Sequence, residues 1–177
     1  MGTMVVPPSV DIPAGPGGSC VACHMPRKNM GLDGSLTRYH RIGSPTDADR
    51  VLGDRPLECA LCHSRKTVGA LVEAMEGWWP VRYPRQRLEE LYGALDANVI
   101  RATLERGKAH EQAVALGVLR EAPDAAAVAL VSKQLGNEYP LVRAWAQATL
   151  DAMGAKGASV PPPAVSPRTE HEEEPED

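Results

Sequence analysis

The chain has 177 residues and carries 19 basic against 23 acidic side chains, a net charge of −4. The cations are scattered and not interleaved with aromatics, which argues against a nucleic acid partner, and no apolar run approaches the ~18 residues that would cross a bilayer. Aromatic content is 4% with no Phe at all. Aromatic rings normally fill a core of this size, so a bound group or an Ala/Leu/Val-rich helical stack is expected in their place.

Residues 1–19 hold Pro7, Pro8, Pro13, Pro16 and a Gly17-Gly18 pair, which predicts an extended, irregular lead-in. Residues 20–58 begin with Cys20-Val-Ala-Cys23-His24 and run on through a Gly/Pro/Asp-rich stretch with little periodicity. Such a segment is expected to stay floppy unless a ligand orders it. From Cys59-Ala-Leu-Cys62-His63 to Trp79 the pattern turns helical, with Leu61, Val68, Leu71, Val72, Met75 and Trp79 on one broad stripe. Pro80 and Pro84 end that helix.

Further helices are predicted near 85–93, 97–106, 109–120, 123–135 and 140–153. Gly107, Gly136 and Gly154 punctuate them, and Pro123 and Pro140 stand at helix starts, where a missing N–H is harmless. Residues 137–154 resemble the first helix of a HEAT repeat through Pro140, Val142, Arg143, Ala146 and Leu150, and the preceding pair would be another hairpin of the stack. Generic α-hairpin packing is the plainer reading. Residues 155–177 contain Pro161-Pro162-Pro163 and close on an acidic run, which predicts a disordered tail.

All four cysteines fall in the two CxxCH units. Covalent attachment of haem c requires two thiols that reach two vinyl groups on one porphyrin edge, followed at once by a histidine for the iron. A two-residue spacer on a helical turn meets both needs. A zinc site built of two CxxC pairs commonly separates them by about 15–20 residues, whereas 35 residues lie between Cys23 and Cys59. Neither zinc nor a pair of disulfides needs a histidine after both pairs. A thioredoxin-like redox motif calls for a βαβ setting that neither pair has. Two haems c are therefore expected, held by Cys20, Cys23, Cys59 and Cys62, with His24 and His63 as proximal iron ligands.

A sixth ligand for each iron comes from what remains. His40 lies in a polar loop between the two attachment sites and is the leading distal candidate, although a loop histidine is more often a solvated side chain. His110 starts a helix, where an exposed histidine is ordinary. Met30 is only six residues past His24, too near to wrap to its own haem's far face, and would serve a neighbouring haem or pack on a ring edge. Met25 is expected to pack, and His171 lies in the acidic tail.

The segment Cys20-Val-Ala-Cys-His-Met-Pro-Arg-Lys-Asn-Met30 resembles the CxxCHMP…M stretch of multihaem c-type cytochromes that carry C-terminal TPR or HEAT-like repeats. In that family an Asp-His and Pro-containing residues follow; here the place is taken by Tyr39-His40 and Arg41-Ile-Gly-Ser-Pro45. A Pro-x-x-Cys-x-x-Cys-His element with a downstream Trp is matched by Pro56 to His63 and by Trp78-Trp79. The match is close over about 20–80 and loose over 108–154. The resemblance implies electron transfer in the periplasm or outside the cell, with His40 as a distal haem ligand. Tyr39 departs from the family's Asp, so a hydrogen bond that fixes the imidazole must come from elsewhere. Family members are usually longer, with further haem motifs upstream. Met1–Gly18 lack the charged start and apolar stretch of a secretory signal, so a chain whose leader is absent is expected.

The expected architecture is mainly α: a lead-in over 1–19, a loop-rich di-haem c-type module over 20–82, HEAT-like helical repeats over 85–154 and the tail. The repeats would be a scaffold or docking surface for a redox partner protein, another cytochrome or a membrane-bound complex. A haem enzyme of peroxidase or oxyanion-reductase type, working at an open iron, and a structural subunit of a larger redox assembly are the alternatives.

Overall fold

The computed structural model describes residues 19–31 and 33–155, and these are mainly helical. The first motif is a short helix, α1 (Cys20–His24), followed by a two-stranded antiparallel hairpin, β1 (Asn29–Met30) and β2 (Leu36–Thr37), that pairs Asn29 with Thr37 and Met30 with Leu36. Then come α2 (Ala48–Gly53), a 3-10 turn (Glu58–Leu61) and α3 (Val68–Trp78). The remainder is α4 (Arg85–Tyr92), α5 (Val99–Arg106), α6 (Ala109–Glu121), α7 (Val128–Lys133) between two 3-10 turns, and α8 (Pro140–Ala152). No helix among the described residues is long and apolar enough to cross a membrane.

Two predicted helices are broken up. The stripe from Cys59 to Trp79 divides because the chain turns after the second CxxCH, and the Thr67 hydroxyl then accepts the Ala70 N–H to begin α3 afresh. A Ser/Thr oxygen of this kind satisfies one of the unpaired amides at a helix start. The 123–135 helix is entered by a 3-10 turn because the Asp124 carboxylate takes the Ala126 N–H, and it tightens to 3-10 again at Gln134–Gly136. The 20–58 segment, expected to need a ligand for order, carries α1, the hairpin and α2 here. Leu36, Val51 and Leu57 anchor it in the same hydrophobic core as Leu116, Trp145 and Leu150. One core thus joins the two stretches read as cytochrome module and helical region.

α6 is the centre of that core, packed by α5 and α8 and touched by both strands of the hairpin. Gly117 makes the close approach possible. A Cβ there would sit 2.7 Å from Leu36 Cγ and 2.7 Å from Trp145 Cζ3, inside any real contact distance. Gly117→Ala is therefore expected to destabilise the fold by about 1–3 kcal/mol through overpacking, despite alanine's better helix propensity. A lowered thermal midpoint checks this, and an unchanged or raised midpoint would show that the hairpin yields freely. The hairpin turn uses Gly34 at φ +76°, a left-handed conformation suited to glycine, and the Arg120 guanidinium of α6 donates to its carbonyl at 2.7 Å.

Candidate haem-attachment site

Each CxxCH forms one tight turn. In α1 the Met25 N–H bonds to the Val21 carbonyl at 3.0 Å, and in the second motif the His63 N–H bonds to the Cys59 carbonyl at 2.9 Å. Residues three apart on such a turn share a face, so the two thiols of each motif emerge side by side. All four cysteines are free thiols; Cys20, Cys23 and Cys62 are exposed and Cys59 is half-buried.

The two turns open on a single cleft of about 380 Å³. Ala22 and Cys23 line it from the first motif, and Cys59, Cys62 and His63 from the second. The facing wall is α3, whose Ala70 and Ala74 leave a shallow floor between Leu71, Met75 and the Trp78-Trp79 pair. The two indoles meet edge to face with centroids 5.6 Å apart, and Trp78 is 59% exposed at the rim. An apolar concave surface with a few convergent polar groups is the usual form of a cofactor site.

Two tethers hold the mouth. Tyr83 donates its hydroxyl to the Thr46 carbonyl at 2.7 Å, fixing the stretch that brings Pro45 to the cleft, and burial pushes its phenol up to about 12. Asn98 caps α5 by accepting the Arg101 N–H, while its amide donates to the Ser64 carbonyl at 2.8 Å just past His63.

Burial raises the Cys23 thiol, with the nearby Cys62, Glu58 and Cys20 adding to the effect. Burial likewise pushes Cys59 up to about 11, reinforced by Cys23, Glu58 and Cys62. These thiols stay protonated at neutral pH, and the four sit in one neighbourhood. They are not gathered tightly, however. Among the described residues, the group of three or more metal-type ligand atoms lying within 4.8 Å of one another is Asp54, His110 and Glu111, with no cysteine in it.

The residues fit haem c on a further point. The His24 Nδ1 lies 2.8 Å from the Gly43 carbonyl oxygen. That bond assigns the ring proton to Nδ1 and leaves the Nε2 lone pair free, the arrangement in which an outer carbonyl can orient an imidazole toward a metal. His63 borders the cleft and is exposed.

The distal candidates lie elsewhere. His40 is exposed on a bend whose carbonyl accepts the Ile42 N–H, and it does not line the cleft. Met30 is half-buried in β1 and packs against the core. His110 is exposed near the start of α6, beside Asp54 and Glu111. That trio is a structural knot: Arg55 and the Lys108 N–H occupy both Glu111 oxygens, and Lys28 pairs with Asp54 at 2.9 Å. His171 lies outside the described residues.

The sequence places Met75 and Trp79 on one apolar stripe; Met75 is buried in the core and Trp79 packs against it, and both also border the cleft, whereas Glu58, Arg50 and Gly43 were passed over. The stripe of α3 has an apolar signature in either role, and only the two alanines within it hinted at a surface left open. No family model, curated protein or solved structure matches this chain.

Proposed function

We propose that this chain is an electron carrier with two covalently bound c-type haems, attached through Cys20 and Cys23 and through Cys59 and Cys62. The observation that carries the reading is the shared cleft: Cys23 of the first CxxCH turn and Cys59, Cys62 and His63 of the second line one apolar hollow, and His24 has its Nδ1 engaged by the Gly43 carbonyl. A bound haem supplies a one-electron iron couple. The chain's own residues do the rest. The four cysteine thiols would each add across a vinyl C=C, one vinyl carbon taking the hydrogen and the other forming the C–S bond. His24 and His63 offer ring nitrogens to hold the iron, and the apolar wall of Ala70, Leu71, Ala74, Met75 and Trp79 would exclude water from the bound group.

His40 is the distal ligand this reading favours, carried on the loop whose Gly43 braces His24. The helices α5 to α8 serve as a HEAT-like scaffold or docking surface, and a redox partner such as another cytochrome or a membrane-bound complex takes the electron. Such chemistry belongs in the periplasm or outside the cell.

One observation favours a second reading. His40, Met30 and His110 all lie outside the cleft lining, which suits a haem enzyme of peroxidase or oxyanion-reductase type with an open iron. The spectrum of chain made with cytochrome c maturation machinery separates the two. Two haems per chain by pyridine haemochrome, with sharp low-spin reduced bands, is the result expected for the carrier. A high-spin ferric spectrum with rapid peroxide reaction would establish the enzyme. Zinc with no haem would sink both.

A further inference from the structure

The hydrogen bond that orients His24 is held from behind by a buried ion pair. Arg50 of α2 and Glu58, the residue before Cys59, meet with Nη1 and Oε1 2.8 Å apart, their side chains 2% and 4% exposed. The other end of the guanidinium, Nη2, donates to the Arg41 carbonyl. Between them lies Gly43: a Cβ on that residue would stand 2.7 Å from Arg50 Nη2 and 2.8 Å from Cζ. The guanidinium therefore fills the space that a Gly43 side chain would take, while the Gly43 carbonyl accepts the His24 Nδ1–H and the Gly43 N–H donates back to the His24 carbonyl at 3.2 Å.

We propose that Arg50 is the positioning residue for His24, clamping the Arg41–Gly43 backbone against its imidazole and, through Glu58, tying that axial ligand to the segment that carries Cys59. The inference rests on the haem reading above and deepens it. Two features argue for a device rather than incidental packing. A buried ion pair is costly and seldom retained for stability alone, since apolar residues of similar volume often serve as well. Here the pair is also incomplete, with Arg50 Nε and Glu58 Oε2 buried without partners, so it is not optimised for its own energy. What it does accomplish needs a planar fork that reaches a carboxylate and a carbonyl at once, and arginine supplies that geometry where lysine does not.

A carbonyl bound at Nδ1 makes the imidazole a stronger donor to iron and favours the ferric state. Releasing it raises the midpoint potential of that haem.

The test uses the full chain with both haems attached. Arg50→Lys keeps the charge and loses the fork. Gly43→Ala keeps Arg50 itself and pushes the guanidinium off the backbone. Both variants are expected to raise the midpoint potential of one haem, leave the other in place, and speed exchange of the His24 ring N–H by at least tenfold. That exchange is read by proton NMR of ferric protein carrying ¹⁵N-histidine. Variants that melt at lower temperature while both potentials and the ring-proton exchange match the parent would overturn the proposal, because Arg50 would then be structural only. If Arg50→Lys does not fold, Gly43→Ala decides by the same two readouts. A parent chain that takes up no haem would instead sink the electron-carrier reading itself.

Discussion

Replacing Cys59 and Cys62 together with serine is expected to leave one covalent haem per chain instead of two. The pyridine haemochrome count, taken on protein after extraction of non-covalent haem and set against protein mass, should fall by half. Each thioether tethers one vinyl-derived carbon, so a motif stripped of both sulfurs holds its haem only through His63 and the apolar wall. Denaturing extraction with acidified organic solvent would then remove the second haem and leave the first. Because both motifs face the same cleft, loss of one haem should also disturb the spectrum of the other. A count that stays at two would mean that these cysteines do not anchor haem; a count of zero in the parent would mean the same for all four.

Glu111→Ala is expected to destabilise the fold by about 3–5 kcal/mol, the usual result of removing one partner from a buried ion pair. The Glu111 side chain is 1% exposed. Its carboxylate accepts the Arg55 N–H at 2.9 Å and the Lys108 N–H at 2.6 Å, and pairs with the Arg55 guanidinium at 3.0 Å. Arg55 in turn donates to the Leu91 carbonyl at 2.8 Å, so one knot joins the approach to the second CxxCH motif with α4 and α6. Denaturant unfolding should show the loss in midpoint without a change in slope.

The same group gives stability a pH dependence. Burial acts to raise the Glu111 carboxyl, but the Arg55 and Lys108 amides and the Arg55 charge outweigh it and hold the group below its usual range. A carboxyl depressed in the folded state stabilises fully above its unfolded value of about 4.3. That contribution drains away as pH falls toward the folded value. Glu58 has the opposite sign: burial raises it against the opposing pull of Arg50 and Lys28. It costs stability as pH climbs from the unfolded value through the folded one. Unfolding measured between about pH 3 and 6 should therefore show a steep acid loss that flattens in Glu111→Gln, whereas Glu58→Gln should leave that loss in place. An acid limb of unchanged steepness in Glu111→Gln would assign it to other carboxylates.

Much of this was legible in residues alone, and the division has a physical basis. A CxxCH is a local object: its two thiols and histidine lie within one turn whatever surrounds them, so spacing suffices to name the chemistry it suits. Helix positions are nearly as local. Pro140 starts α8 and Asn98 caps α5 because propensity and capping act within a few residues. The sequence by itself therefore determined a mainly helical chain and the positions of its two CxxCH motifs.

Tertiary structure alone decided the rest. That both motifs share a cleft depends on where α3 packs, and Met75 and Trp79 carry the same apolar signature whether they face a core or a cofactor. Arg50 reads as an ordinary charge in a polar stretch, yet it is buried because Glu58, eight residues on, and the Arg41 carbonyl compensate its desolvation. Gly117 likewise marks no turn; it matters because Leu36 and Trp145, 81 residues before and 28 after it in number, converge there. Long-range contacts of this kind are set by the sum of many packing choices, and no single local pattern encodes them.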